Sequence, residues 1–190
     1  MRRLLLFSAV LVYLPLPLLA QEYPRAEAFG GYSYFRANPE GFNLNGWNAS
    51  VSGNISPWFG IVGDFSGHYG SPSVFGFTVP IVSLSSYTFM AGPKLMVHNG
   101  GAVTPFAHFL IGGSRASTSA FGVSLSDQAL AAAVGGGVDI RVNDWLAVRA
   151  FQADYVMTRF NSLEDRIFGS NERQNNVRLS AGLVFRFGNR

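Results

Sequence analysis

The sequence predicts an all-β chain, an eight-stranded, antiparallel, up-and-down β-barrel that spans a membrane. Three observations carry this expectation. Apolar and polar residues alternate strictly over several stretches, short and long connections take turns between them, and charge is scarce. Charged residues make up 13% of the chain and aromatics 14%, where a soluble domain carries about 25% charged residues.

The N-terminus is read apart from the rest. Arg2 and Arg3 precede an apolar run from Leu4 to Leu14 interrupted only by Ser8, and Pro15 and Pro17 then break any helix before Ala20. This is the layout of a secretory signal peptide, so residues 1–20 are expected to be removed and 21–190 to form the barrel domain. Loss of the two arginines takes the net charge from +3 to +1. The basic balance of the whole chain therefore does not point to nucleic acid, and no Lys/Arg cluster offers a phosphate-tracking surface. There is no cysteine to form a disulfide or carry a lipid. Beyond the leader, no apolar stretch approaches the length of a transmembrane helix.

Three strands are written plainly in the alternation. In 46–55, Trp47, Ala49, Val51, Gly53 and Ile55 oppose Asn48, Ser50, Ser52 and Asn54. In 59–69, Phe59, Ile61, Gly63, Phe65, Gly67 and Tyr69 oppose a face with Asp64, Ser66 and His68. In 176–187, Val177, Leu179, Ala181, Leu183, Phe185 and Phe187 oppose Arg178, Ser180 and Arg186. Five further strands are expected at 25–36, 83–97, 103–115, 128–141 and 145–157. One break in parity stands out, since Arg149 falls on the opposite face from Gln152 and Asp154. Either a β-bulge intervenes or Arg149 snorkels from the apolar side.

The connections order these strands in space. Ser56–Trp58, His98–Gly101 and Asn143–Asp144 are of hairpin length, whereas 37–45, 70–82, 116–127 and 158–175 are long. Short and long links alternate, so all long loops lie at one end and both termini at the other. Bacterial outer-membrane barrels have this asymmetry, with short periplasmic turns and longer extracellular loops. Closure follows from the solvent, because an open sheet edge in lipid leaves backbone groups unpaired at several kcal/mol each.

Alternation alone also fits a soluble, lipocalin-like carrier. The polar face decides against it, being mostly Ser, Asn, Thr and Gly rather than the charges that coat a soluble surface. Trp47, Trp58, Phe59, Tyr69, Trp145, Tyr155, Phe185 and Phe187 sit near strand ends, where interfacial aromatic girdles belong. The opening EAFGGYSYFR (Glu27–Arg36) and closing VRLSAGLVFRF (Val177–Phe187) resemble the OmpA-like family of small outer-membrane β-barrel domains. The resemblance covers the whole mature chain and implies a bacterial outer-membrane location. It also implies that Phe185 and Phe187 form the signal read by the barrel-assembly machinery, although Gly188, Asn189 and Arg190 follow the last aromatic. No peptidoglycan-binding domain follows the barrel strands in this sequence, so the wall tethering of longer relatives is not implied.

The polar face carries Asp64, His68, Lys94, His108, Asp139, Arg141, Asp154 and Arg178, with Arg186. An eight-stranded lumen is about wide enough to be filled by side chains, so these groups are expected to pair as a structural ionic network. Asp64, Ser66 and His68 share one face, but steps of about 7 Å are too long for a catalytic relay. The histidines have no metal-ligand spacing, and Gly135–Gly137 lacks the strand-turn-helix setting of a nucleotide loop. Neither metal nor cofactor is expected. The best place for function is the long loops. Residues 70–82 are apolar, with Val74, Phe75, Phe77, Val79 and Ile81 able to cover the barrel mouth or meet a partner. The last loop is mixed in charge, with Glu164, Asp165, Arg166, Glu172 and Arg173. The expected role is non-enzymatic, envelope-structural or surface-recognising, with outer-membrane lipid as its surroundings. A lipid-modifying barrel enzyme acting on lipid A is the alternative class, and a narrow ion pore is a more distant one.

Overall fold

Alternating side chains close a barrel in the computed structural model, which describes residues 23–37, 42–70, 73–74, 77–78, 82–98, 101–120, 123–160 and 173–189. Its strands are β1 (Pro24–Ala37), β2 (Phe42–Asn54), β3 (Phe59–Gly70), β6 (Val82–Met96), β7 (Val103–Ala120), β8 (Val123–Arg141), β9 (Leu146–Phe160) and β10 (Arg173–Asn189). Two-residue strands, β4 (Ser73–Val74) and β5 (Phe77–Thr78), pair with each other in a separate two-stranded sheet. Every barrel strand pairs antiparallel with its sequence neighbour in the barrel, and β1 pairs with β10 from Pro24↔Asn189 to Arg36↔Val177 to seal it.

The eight expected strands are all present, and several run past their expected ends. The stretch 116–127, expected as a long loop, is mostly strand. β7 continues to Ala120 and β8 starts at Val123, paired through Ala120↔Val123. β2 likewise begins at Phe42 rather than at 46, and β10 at Arg173. The proposed leader lies outside the described residues, as do Phe75, Val79, Ile81, Glu164, Asp165, Arg166 and Glu172. Two of the short turns at the other end are internally bonded. Ser56 and Asn143 occupy equivalent places, each backbone N–H bonding 3.0 Å to the carbonyl of the residue opening the next strand, Phe59 and Leu146.

The exterior is apolar. Val51, Ile61, Phe65, Phe89, Leu95, Phe109, Ile111, Leu130, Val134, Phe151, Leu179 and Leu183 are all exposed. Aromatics bracket this band. Trp58, Trp145, Phe185 and Phe187 lie toward the short turns, and Tyr32, Trp47, Tyr69 and Tyr87 toward the loops. Trp145 stacks on Phe185, and Tyr69 meets Tyr87 edge-on. An outer wall of this kind is stable only in a bilayer, where it costs nothing to leave apolar side chains facing the solvent.

The interior is the inverse, with charged and hydroxyl groups buried among fewer apolar ones. Phe35, Leu44, Val62, Met90, Leu110, Ala131, Ala133 and Val156 form one buried cluster, and Phe29, Ala147 and Val184 a smaller one. A lipocalin-like carrier would need an apolar cavity here. The barrel axis is instead occupied by ion pairs.

The parity break is resolved as a bulge. β9 keeps Ser180↔Gln152 but then pairs Gly182↔Arg149 on one side, and Val138↔Phe151 then Asp139↔Arg149 on the other. Ala150 is the extra residue, and both it and Phe151 are exposed on the outer wall. Arg149 and Gln152 therefore both turn inward.

Candidate functional site

The lumen is the chemically richest part of the molecule, and its groups are held by rigid strands. Arg178 on β10 is 1% exposed. Its Nε and Nη2 donate to Asp154 Oδ2 at 2.9 and 2.8 Å, and its Nη1 donates to Asp64 Oδ1 at 2.7 Å and Ser66 Oγ at 3.1 Å. Asp154 also accepts from Gln152 Nε2 at 2.7 Å, and its Oδ1 lies 2.7 Å from His108 Nε2. Asn48 Nδ2 donates to the other Asp64 oxygen at 2.9 Å. A charge taken from water at this depth costs several kcal/mol unless paired and hydrogen-bonded, and here each carboxylate is met by several donors.

A second group sits nearer the short turns. Arg149 forks onto Asp139 at 2.7 and 2.9 Å and donates to Gln152 Oε1 at 2.7 Å. Its guanidinium lies between the rings of Phe29 and Phe106, 4.3 Å from each centroid, which adds a cation–π term where water is excluded. Lys94 Nζ bonds Glu27 Oε2 at 2.6 Å, while Arg186 approaches the other oxygen of Glu27 at 3.8 Å. Gln152 joins the two groups, because its oxygen accepts from Arg149 while its nitrogen donates to Asp154. A continuous chain of hydrogen bonds thus runs from Asp139 to Asn48 across the barrel.

Gly135 explains how two of these partners reach one another. His108 on β7 and Asp154 on β9 flank β8, and both pair in register with Gly135. A Cβ at this glycine would collide with the Asp154 carboxylate and with the carbonyl of Ala153. The glycine run expected to have no nucleotide role is a gap in the lumen wall through which the imidazole meets the carboxylate.

Seven of the nine charged or histidine positions expected on the lumen side are buried: Asp64, His68, Lys94, His108, Asp139, Asp154 and Arg178. Arg186 is half-buried beside Glu27, and Arg141 is the exception. It shares the parity of Asp139 but stands exposed beside the short turn, with no ion pair among the described residues. Glu27, Gln152 and Arg149 complete the pairing, and of these the sequence marks Arg149 through its broken parity.

Asp64, Ser66 and His68 are not wired together. His68 Nε2 meets Ser33 Oγ at 2.9 Å, which in turn accepts from Ser180 Oγ at 2.9 Å. Asp64 and Ser66 are both taken by Arg178. No hydroxyl is paired with a base for nucleophilic attack in this trio. Among the described residues, no three His, Asp or Glu groups converge in a metal-binding arrangement. The third histidine, His98, lies outside the strands, its Nδ1–H donating to the Pro57 carbonyl at 2.6 Å. Burial against that turn pushes its pKa below the usual imidazole value.

No protein-family model matches the chain, and no curated protein sequence does. Solved structures do share its fold. Neisserial surface protein A (NspA) superposes with a TM-score of 0.61 at 16% identity, over 85% of this chain and 96% of its own. Ail, the attachment invasion locus protein of Yersinia pestis, gives 0.57 at 19% identity, over 87% and 99%. The outer membrane protein OprG of Pseudomonas aeruginosa gives 0.52 at 9% identity, over 88% and 98%. These are small outer-membrane barrels. The shared fold and the lipid-facing exterior together place this chain in a bacterial outer membrane.

Proposed function

We propose that this chain is a non-enzymatic barrel of the cell envelope, structural or surface-recognising, that acts through the loop end of its strands. The observation that carries this reading is the filled lumen. Among the described residues, two linked ionic groups and an apolar cluster are buried inside the barrel, which supports a packed lumen over a conducting path or a substrate pocket. Function then falls to the rim, where β7 and β8 extend the scaffold toward the loops. Within the outer-membrane barrels we assign it to the OmpA-like kind, on the strength of the opening and closing strands, which pair with each other at closure. In this reading Phe185 and Phe187, both exposed on the outer wall, serve as the assembly signal. A barrel of similar fold, Ail, has been solved in complex with the heparin analogue sucrose octasulfate.

The test uses cells with and without the gene, and the purified full chain. Lipid A mass should be unchanged by deletion, and the chain in planar bilayers should give no stable conductance steps. Adhesion of the cells to glycan- or protein-coated surfaces should fall when residues 161–172, which connect β9 to β10, are replaced by a tight turn. A change in lipid A mass would sink the non-enzymatic reading, and a steady single-channel current would sink the plugged lumen.

A further inference from the structure

The outer wall has one feature that its uniform role as a lipid contact does not explain. A groove of about 390 Å³ opens on the exterior between β6 and β8. Its floor is Gly113 on β7, where a Cβ would meet nothing closer than the Ala129 carbonyl at 3.8 Å. Phe89 and Leu130, the register partners of Gly113, stand to either side and are both exposed. Phe65 packs on Phe89 with ring centroids 4.9 Å apart and extends that apolar wall.

The end of the groove toward the loops has a different chemistry. Trp47, Gly67, Tyr87, Arg115 and Gln128 are successive register partners across five strands, forming one row around the wall. Arg115 and Gln128 are exposed on the same face as the lipid-contacting residues. A cation facing outward from a barrel strand is costly at the bilayer midplane and nearly free at the interface, so this row marks the headgroup level of the outer leaflet. Tyr and Trp beside it are the side chains that settle there.

We propose that the Gly113 groove seats one acyl chain of a phosphorylated lipid of the outer leaflet, with its phosphate held by Arg115. The apolar trough lies one pleat below the cation, which is the order in which such a lipid presents tail and phosphate. The volume is that of a small-ligand site. Guanidinium is suited to a phosphate through paired, charge-assisted hydrogen bonds. This site is independent of any recognition by the loops.

The experiment is native mass spectrometry on the full barrel, extracted from phosphatidylcholine vesicles containing bis-phosphorylated lipid A. One lipid A per barrel is expected to survive a detergent wash that strips phosphatidylcholine. Arg115→Gln should lower its retention roughly tenfold, the loss of a hydrogen-bonded charge contact. Gly113→Leu, which fills the trough, should lower it to a similar extent, and Gly113→Ala replaces it if the leucine variant lacks the heat-dependent gel shift of a folded barrel. Equal retention of dephosphorylated lipid, or of lipid A by Arg115→Gln, overturns the proposal. So does a dimer that forms without lipid and is lost in Gly113→Leu, which would make the groove a contact between two copies.

Discussion

Arg178 on β10 and Asp154 on β9 stand directly opposite each other in register, and the same guanidinium crosses the lumen to Asp64 on β3. One side chain therefore ties the closing strand to strands on both sides of the barrel. Arg178→Leu leaves two buried carboxylates facing each other without their cation. It should cost about 3–5 kcal/mol of stability, read from urea unfolding in lipid vesicles by tryptophan fluorescence. Adding Asp64→Asn and Asp154→Asn to that variant should restore most of the loss. A single Arg178→Leu variant as stable as the parent would show that the network carries no weight.

Glycines on the two faces of the wall should respond differently to one methyl group. Gly135→Ala forces a Cβ into the Asp154 carboxylate and the β9 backbone, and should cost about 1–3 kcal/mol. Gly30→Ala meets nothing within 4 Å on the outer face and should change stability by no more than about 0.5 kcal/mol. The same unfolding assay compares them. Equal effects would mean that the crossing of His108 to Asp154 is not confined by Gly135.

Neighbours on β7 report which solvent lies outside. Leu110 is 0% exposed and Ile111 is 52% exposed. Leu110→Ala should cost about 2–5 kcal/mol as a cavity in the lumen. Ile111→Lys, near the middle of the apolar band, should cost about 2–4 kcal/mol because its ammonium meets hydrocarbon. In a soluble barrel the lysine at this position would be harmless, so the heat-shifted gel band of Ile111→Lys after refolding into vesicles is decisive.

His98 gives the turn end a pH dependence. Its folded pKa is lowered by burial, so the unfolded chain takes up the proton first as pH falls. Its contribution to stability is complete above the unfolded pKa, near 6.5, and declines as pH drops from there toward the folded value. His98→Gln should therefore lose less stability than the parent between pH 7 and pH 5. Identical slopes for the two proteins would exclude a role for this imidazole.

The strands were legible because a membrane wall enforces period two, and a slip of one residue turns apolar groups inward along the whole strand. What periodicity does not encode is depth along the barrel. Arg141 and Asp139 share a face, yet one lies at the rim and the other within the network. The same limit hid the true length of β7 and β8. Backbone pairing continues through 116–120 and 123–127, where Ser117, Ser119, Ser124 and Ser126, and Gly122 between the two strands, read as a loop in the sequence. Glu27 escaped notice because its face also carries Phe29 and Phe35 while the lipid face carries Tyr32 and Tyr34, so β1 does not sort into polar and apolar sides. The bulge at Ala150 was visible as an anomaly. Two consecutive outward residues, both apolar, were the sign that it, rather than snorkelling, accounts for Arg149.

The seam between β1 and β10 joins the first and last strands of the chain, about as far apart in sequence as residues here can be. Seven of the eight barrel pairings can be laid down between strands that follow one another along the chain, but this last one waits for the final segment. Until it arrives, two rows of backbone donors and acceptors stay unpaired, a state that hydrocarbon does not accommodate. A chain shortened from its C-terminus thus has no smaller membrane-compatible form to fall back on, and insertion must be completed as a single act.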